Sequence, residues 1–214
     1  MGLILGKISV ETPKYNVLAS GTDFEIREYA ANIVAEVTYD PAKTKGGGFM
    51  ILANYIGALG NPQNVKGEQK AEKIAMTAPV LTADKGASAE KADSSEKIAM
   101  SAPVLTEESP ADSEGKKGLE VMQFVLPSKY TSLNDVPRPT DPRVHVREVS
   151  SKRYGVLKFS GFVEDKLVQK KVDRLKQVLQ EAGYKVIGQH ILAQYNPPWT
   201  VPFLRTNEVM LPVE

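Results

Sequence analysis

The chain has only two histidines, His145 and His190, so proton and metal chemistry must begin with them. Both fall on segments that read as strands. His145 lies in "RVHVREV" with Val144 and Val146 on the opposite face, and His190 shares a face with Gly188 and Leu192. Such a histidine is ordinarily solvated or hydrogen-bonded within the fold. No cysteine exists, no Cys/His cluster has metal-ligand spacing, and no nucleophile, histidine and acid form a recognisable set. The glycine run in "KGGGF" leads into a helix but lacks the preceding strand and the spacing of a phosphate loop, so it reads as a hinge or helix start. The expectation is therefore no catalytic residue and no metal ligand, and a protein that works by contact.

The chain also repeats itself. "EKIAMTAPVLT" at 72–82 returns as "EKIAMSAPVLT" at 96–106, with Thr77 exchanged for Ser101. Each copy alternates, with Ile74, Met76, Ala78 and Val80 on one side and Ala75, Thr77 and Leu81 on the other. Pro79 and Pro103 would cost a central strand a ladder bond, which favours an edge, a strand end or a bulge. The polar flanks at 83–95 and 107–118 read as mobile loops. One copy must fill a place in a sheet. The other is surplus, tolerated without a role, or else a hairpin extending the sheet edge or a docking edge for a partner, and either copy could take the place.

These features need elements to hold them. Residues 22–40 read as two strands with a tight turn at Ala31-Asn32. Residues 46–60 read as a helix with Phe49, Leu52, Ile56 and Leu59 on one stripe and a stop at Gly60. A strand at 119–127 and a Pro-rich connection at 129–142 follow. Residues 143–149 and 153–161 read as another strand pair. The helix at 163–183 has Leu167, Val168, Val172, Leu175, Val178, Leu179 and Ala182 on one face, acids at its start and Gly183 at its end. Strands at 184–195 and 208–213 flank a rigid loop.

A fainter repeat runs beneath the first. "IREYAANIVAEVTY" from Ile26 and "VREVSSKRYGVLKF" from Val146 share a pattern at an offset of 120 (146 − 26), each followed by a helix, and "FVLP" at 124 matches "VMLP" at 209. The chain reads as strand–strand–helix–strand–strand written twice. That predicts an α+β fold, a distorted antiparallel β-barrel of about eight strands with two flanking helices and a pseudo-twofold internal duplication. The whole of 1–214 is one domain, with half one at about 22–127 and half two at about 143–214.

Composition agrees with a globular protein: 214 residues, 42% hydrophobic, 25% charged, net charge +1. That charge offers no footprint for nucleic acid. No apolar run has the length of a membrane span. The Met-Gly start lacks the Ser or Thr at position 6 that myristoylation wants, and "LIL" is short for a signal peptide. The absence of cysteine suits a reducing compartment, and the expected location is cytoplasmic.

Several phrases in order, "FEIREY", "KIAMTAPV", "FVLP" and "YNPPW" with "RTNEVMLPV", closely resemble the SOUL family of haem-binding proteins, most of all its plant cytosolic branch, from about Val10 to Glu214. The resemblance implies a distorted barrel with two helices and reversible binding of haem and iron-free porphyrin, as a carrier or buffer and not an enzyme. It places the tetrapyrrole on the first helix, Phe49 to Ile56, and on the loop Pro197 to Arg205. Asn54 stands where some relatives have Lys, and Ala53 where a neighbouring Met occurs. No His occupies the region of the axial His proposed for one animal branch.

A porphyrin is a flat apolar plate with two carboxylates on one edge, and it needs a shelf, an aromatic and a cation. Met50, Ala53 and Gly57 would form the shelf with Asn54 beside them, Trp199 and Phe203 would stack, and Arg205 would meet a propionate. Covering roughly 400 Å² of ligand at about 25 cal/mol per Å² gives about 10 kcal/mol. Association costs at least ~4 kcal/mol, which leaves binding in the micromolar range or weaker. The alternatives are a haem-modifying enzyme that removes iron, with His190 or a Tyr as its candidate group, and a protein-interaction module that uses the duplicated strand.

Overall fold

The computed structural model describes residues 8–44, 46–67, 70–84, 118–197 and 199–214. Its strands are β1 (Tyr15–Ser20), β2 (Glu25–Tyr29), β3 (Asn32–Tyr39), β4 (Asn64–Val65), β5 (Val80–Asp84), β6 (Glu120–Val125), β7 (Arg138–Pro139), β8 (Val144–Val149), β9 (Lys152–Phe159), β10 (Ile191–Gln194) and β11 (Asn207–Pro212). Its α-helices are α1 (Gly47–Ile56) and α2 (Asp165–Glu181). Nine strands form one antiparallel sheet in the order β1-β2-β9-β11-β10-β5-β6-β3-β8, and β4 and β7 pair separately.

That order carries the duplication. Outward from the seam between β5 and β10 run β6, β3 and β8 on one side and β11, β9 and β2 on the other. Each strand has its counterpart from the other half, and β1 is an addition at one edge. Among the described residues the sheet holds nine strands, against about eight expected, and ends in β1 and β8, so it is a half-barrel. It curls strongly, because one small cavity is lined from eight of its strands, among them Tyr29, Val34, Leu81, Gln123, Val149, Tyr154, Ile191 and Met210.

One expectation is corrected. Neither β2 and β3 nor β8 and β9 form a hairpin. β2 pairs with β9, Ile26 opposite Gly155, and β3 pairs with β8, Ala35 opposite Val146. The two halves exchange their first strands. Ala30-Ala31 and Ser150-Ser151 are crossing links, not turns. Short spacing between alternating segments suggests a hairpin, but it cannot tell which neighbour each strand will choose.

Helices cover the outer face. On α1, Ile51, Leu52, Tyr55 and Ile56 pack against Ile33, Ala35, Val37 and Phe124. The sequence stripe placed Phe49, Leu52, Ile56 and Leu59 together, but Leu59 lies beyond the helix and is exposed. On α2, Val168, Val172, Leu175, Val178 and Leu179 bury against Ile26, Leu157, Phe159, Val209 and Leu211, each worth about 1.5–3 kcal/mol on full burial. Gly155 permits this approach, since a Cβ there would lie 2.6 Å from Leu179 Cδ1. The inner face is partly polar. Arg27, 5% exposed, donates to Glu208, 3% exposed, at 2.9 Å and to the Tyr29 hydroxyl at 3.1 Å, and Tyr195 donates to Glu208 at 2.7 Å.

The first copy of the repeated phrase fills the sheet. Val80–Asp84 lies between β10 and β6, with Leu81 opposite both Ala193 and Gln123. Pro79 sits just ahead of this central strand, at its end, as proline requires. Ala83 and Asp84, expected in a loop, continue the strand against Val121 and Glu120. Upstream, Ile74 is buried and the Thr77 hydroxyl donates to the Val125 carbonyl. The second copy, 96–106, its expected hairpin and the rest of the expected loops up to residue 117 lie outside the described residues.

Glu72, first residue of the placed copy, anchors it. It accepts from Lys129 and from the Tyr130 hydroxyl at 2.8 Å each, and its other oxygen meets Lys66 at 3.0 Å. These bonds, Lys129 foremost, hold its carboxyl down to about 2 from an ordinary 4.5. A depressed pKa stabilises the fold above the unfolded value and is lost as the group protonates. In urea titrations, wild type should be more stable than Glu72→Gln at neutral pH, and the gap should close as pH falls from 4.5 to about 2. A gap independent of pH would show that the ionised carboxylate has no stabilising role.

Candidate functional site

The loop between β10 and β11 is held from within. Thr200 N donates to the Pro197 carbonyl, and Pro202–Leu204 makes one tight helical turn. Its far side is tied to the segment ahead of α2: Gly161 N donates to Pro202 O at 3.0 Å, and Asn207 Nδ2 donates to Gly161 O at 3.2 Å. A loop fixed this way would ordinarily turn its large apolar side chains inward. Here it does the opposite. Trp199 is 67% exposed and Phe203 is 73% exposed, and Phe162, in the segment to which the loop is tied, is 58% exposed. Phe162 was not singled out in the sequence. The only signal for it was an aromatic just after the Ser-Gly that ends a strand.

Arg205 belongs to this patch. Its Nε donates to the Thr200 carbonyl at 2.8 Å, and its guanidinium lies 5.1 Å from the centre of the Phe162 ring. Glu208, three residues further on, is turned inward to Arg27 and Tyr195. Carbonyl and ring hold the guanidinium beside the aromatics, which is the arrangement a propionate-bearing plate needs at its rim.

On α1 the picture is mixed. Met50 is 42% exposed and Asn54 is half-buried, so both reach solvent. Ala53 has no exposed surface and Gly57 is buried. Gly57 ends the helix at φ 78, and a Cβ there would fall 2.5 Å from Pro62 Cγ. The cause lies in the segment after the helix. Asn64 Nδ2 donates to the Tyr55 carbonyl, Gln63 N to the Asn54 carbonyl, and the Tyr55 hydroxyl to the Pro137 carbonyl. Residues 62–64 and 137 thus wrap the side of the helix that the sequence left open. Helix and loop keep separate neighbours: α1 contacts β3, β6 and β8, and the loop contacts Gly161 and Phe162.

The histidines stay apart from these groups. His145 is exposed on β8 opposite Glu36, on the inner face of the sheet. His190, half-buried just ahead of β10, has its pKa lowered by burial. Among the described residues no three His, Asp or Glu side chains gather to hold a metal ion, and no helix is long and apolar enough to cross a membrane.

Neither exposed ring contributes to the fold. Phe203→Ala and Trp199→Ala should each change the unfolding free energy by no more than about 0.5 kcal/mol, as for other exposed positions. Chemical denaturation measures this, and a loss of 2 kcal/mol or more would mean the rings are packing anchors.

Comparison with known proteins follows the same outline. Fold neighbours include a hydrolase from Listeria innocua (TM-score 0.54, 10% identity, covering 92% of this chain and 94% of that one). Another is the EcmrR C-terminal domain (TM-score 0.50, 13% identity, 94% and 98%). A third is EcmrR in its DNA complex (TM-score 0.52, 12% identity, 89% of this chain and 57% of that one). At these identities the likeness is one of fold alone. No curated protein matches the chain. The model of the SOUL heme-binding protein family matches residues 10–92 and 86–212, each segment holding one copy of the repeated phrase. With nearly its whole length matched, the chain belongs to the SOUL heme-binding protein family.

Proposed function

We propose that the protein binds haem and iron-free porphyrins reversibly on its outer surface, as a carrier or buffer and not as an enzyme. Family membership supports tetrapyrrole binding in general. The observation that carries the rest is three exposed rings, Trp199 and Phe203 on one loop and Phe162 on the segment tied to it, with Arg205 against Phe162. Soluble proteins rarely leave two large aromatics uncovered on one short loop, with a third on the adjoining segment, unless something covers them in use. Trp199 and Phe203 would lie against the macrocycle and Arg205 would meet a propionate. Haem brings the apolar plate and the two carboxylates. Contact with them suffices, so iron-free porphyrin should bind as well. The finer reading, a cytoplasmic member of the plant branch, is supported by the wording of its motifs and the absence of cysteine.

Trp199 is the only tryptophan, so the site reports on itself. Haem and protoporphyrin, titrated separately, should each quench its emission saturably and shift the porphyrin absorption band. Phe203→Ala should weaken both about tenfold, as expected for losing one buried aromatic contact. The haem spectrum should persist through long incubation. Quenching no greater than that of free tryptophan, or equal affinity in Phe203→Ala, would remove the site. Loss of the haem spectrum with release of porphyrin would replace the carrier with an enzyme.

A further inference from the structure

The sheet has two edges, and their sequences differ. β8 forms one of them and carries His145, Arg147 and Glu148 along its length. β1 forms the other and has no charged residue from Tyr15 to Ser20. It is the strand added beyond the duplication, and among the described residues nothing pairs with its outer side. All of it is exposed except the half-buried Ala19, with Tyr15 at 41%, Val17 at 49% and Leu18 at 48%. An edge strand presents a row of backbone N–H and C=O groups that another strand can complete, and charged side chains are a usual protection against this. β8 has that protection and β1 does not.

β1 is also held in shape. At one end Ala30 N donates to the Lys14 carbonyl at 3.2 Å, and at the other Gly21 N donates to the Phe24 carbonyl at 2.8 Å. The centre of the Tyr15 ring lies 4.4 Å from the Arg27 guanidinium and 5.1 Å from the centre of the Tyr29 ring. Register with β2 is regular from Tyr15 opposite Tyr29 to Val17 opposite Arg27, and it shifts only beyond Val17. A bulge can turn an edge away from partners, but this one follows Tyr15, Asn16 and Val17 and leaves them in line. A strand already extended and fixed at both ends loses little freedom when another pairs with it.

The side chains of this stretch suit a second copy of it. A charged strand from another protein would find no counter-charge on β1, whereas β1 itself brings none. Laid antiparallel on its own copy about Asn16, the strand sets Tyr15 against Val17 in both directions, an aromatic against a β-branched residue. Asn16 meets Asn16, and Lys14, the charge at its flank, meets the neutral Leu18. We infer that β1 joins two copies of this chain edge to edge, by antiparallel pairing across a twofold axis, into one continuous sheet. The contact is one strand wide, so the association is transient. It needs no residue of the tetrapyrrole surface.

Sedimentation equilibrium of the full chain without haem, from roughly 1 µM to 1 mM, covers the range of such association. The mass should rise from monomer toward dimer and no further, because a twofold contact closes on itself. Asn16→Lys sets two like charges opposite each other and should weaken the dimer about fivefold or more. Its melting temperature should not change, since Asn16 is exposed and lies opposite Glu28 on β2. Mixing Asn16→Lys with Asn16→Asp pairs opposite charges and should restore the dimer. His145→Lys on β8, and Trp199→Ala with Phe203→Ala, should leave it intact. The inference falls if the chain stays monomeric throughout, if Asn16→Lys dimerises like wild type, or if the mixture recovers nothing. It also falls if the changes at His145 or at Trp199 and Phe203 abolish the dimer, which would place the contact elsewhere.

Discussion

The exchange of first strands between the halves is the constraint on which the rest of the structure depends. β2 leaves its own half to lie on β9, and β8 leaves its half to lie on β3. Neither half can then complete its sheet alone, and each helix packs on strands from both halves: Ile26 of half one lies under α2, and Val144 of half two lies in the cluster of α1. The exchange also puts Arg27 on β2 within reach of Glu208 on β11, across β9. Desolvation is the largest influence on this guanidinium and opposes its charge, but Glu208, Tyr29 and Glu25 outweigh it and leave its pKa raised. A buried pair of this kind adds little net stability over an apolar pair, yet losing one partner costs about 3–5 kcal/mol. Its effect is to penalise any register of β2 that leaves either charge unpaired.

Local pattern was enough for much of this. The apolar positions of α2 are a property of its own seventeen residues, and the five positions it buries all belong to the face read from sequence. The 120-residue offset and the two flanking helices were likewise visible, because duplication leaves its trace in sequence. What local pattern lacked was choice of partner. Two alternating segments joined at Ala30-Ala31 have the same appearance whether they turn back on each other or part company. β1 escaped notice for a related reason: Tyr15, Val17 and Leu18 are exposed, so the edge strand shows no alternation to detect.

The candidate site was legible to a similar depth. The loop "NPPWTVPFLRTN" stands out by composition, and the structure turns Trp199 and Phe203 outward. The helix shelf could not be judged from periodicity. A helical stripe identifies one covered face, but α1 is covered on a second by Pro62, Asn64 and the chain around Pro137, which come from connections with no regular pattern. Asn64 marks the difficulty. It is 1% exposed and bonds the carbonyls of Tyr55 and Glu72, and so ties α1 to the repeated phrase. Its sequence setting, between Gln63 and Val65, gives no hint of that role.

The two faces of the curved sheet follow different chemistry. The outer face is apolar along every strand that meets a helix, and it is filled. The inner face of a sheet this short cannot be filled by side chains from the opposite wall, as it would be in a closed barrel, because the sheet ends at β1 and β8 without meeting itself. Residues there must either tolerate water or satisfy one another. Arg27, Glu208 and Tyr195 do the second. Glu36, Gln123 and Arg147 form a second network across β3, β6 and β8. Arg27 and Arg147 are counterparts in the duplication, each an arginine beside a carboxylate on an inner strand. Gln123 is the counterpart of Glu208, one residue before the matched "FVLP" and "VMLP". One half therefore has a carboxylate where the other has an amide, and the symmetry of the backbone is not carried into charge. That difference sets a buried ion pair, Arg27 with Glu208, in one half and a mixed network of Arg147, Glu36 and Gln123 in the other, while the same fold keeps Trp199 and Phe203 on the outside.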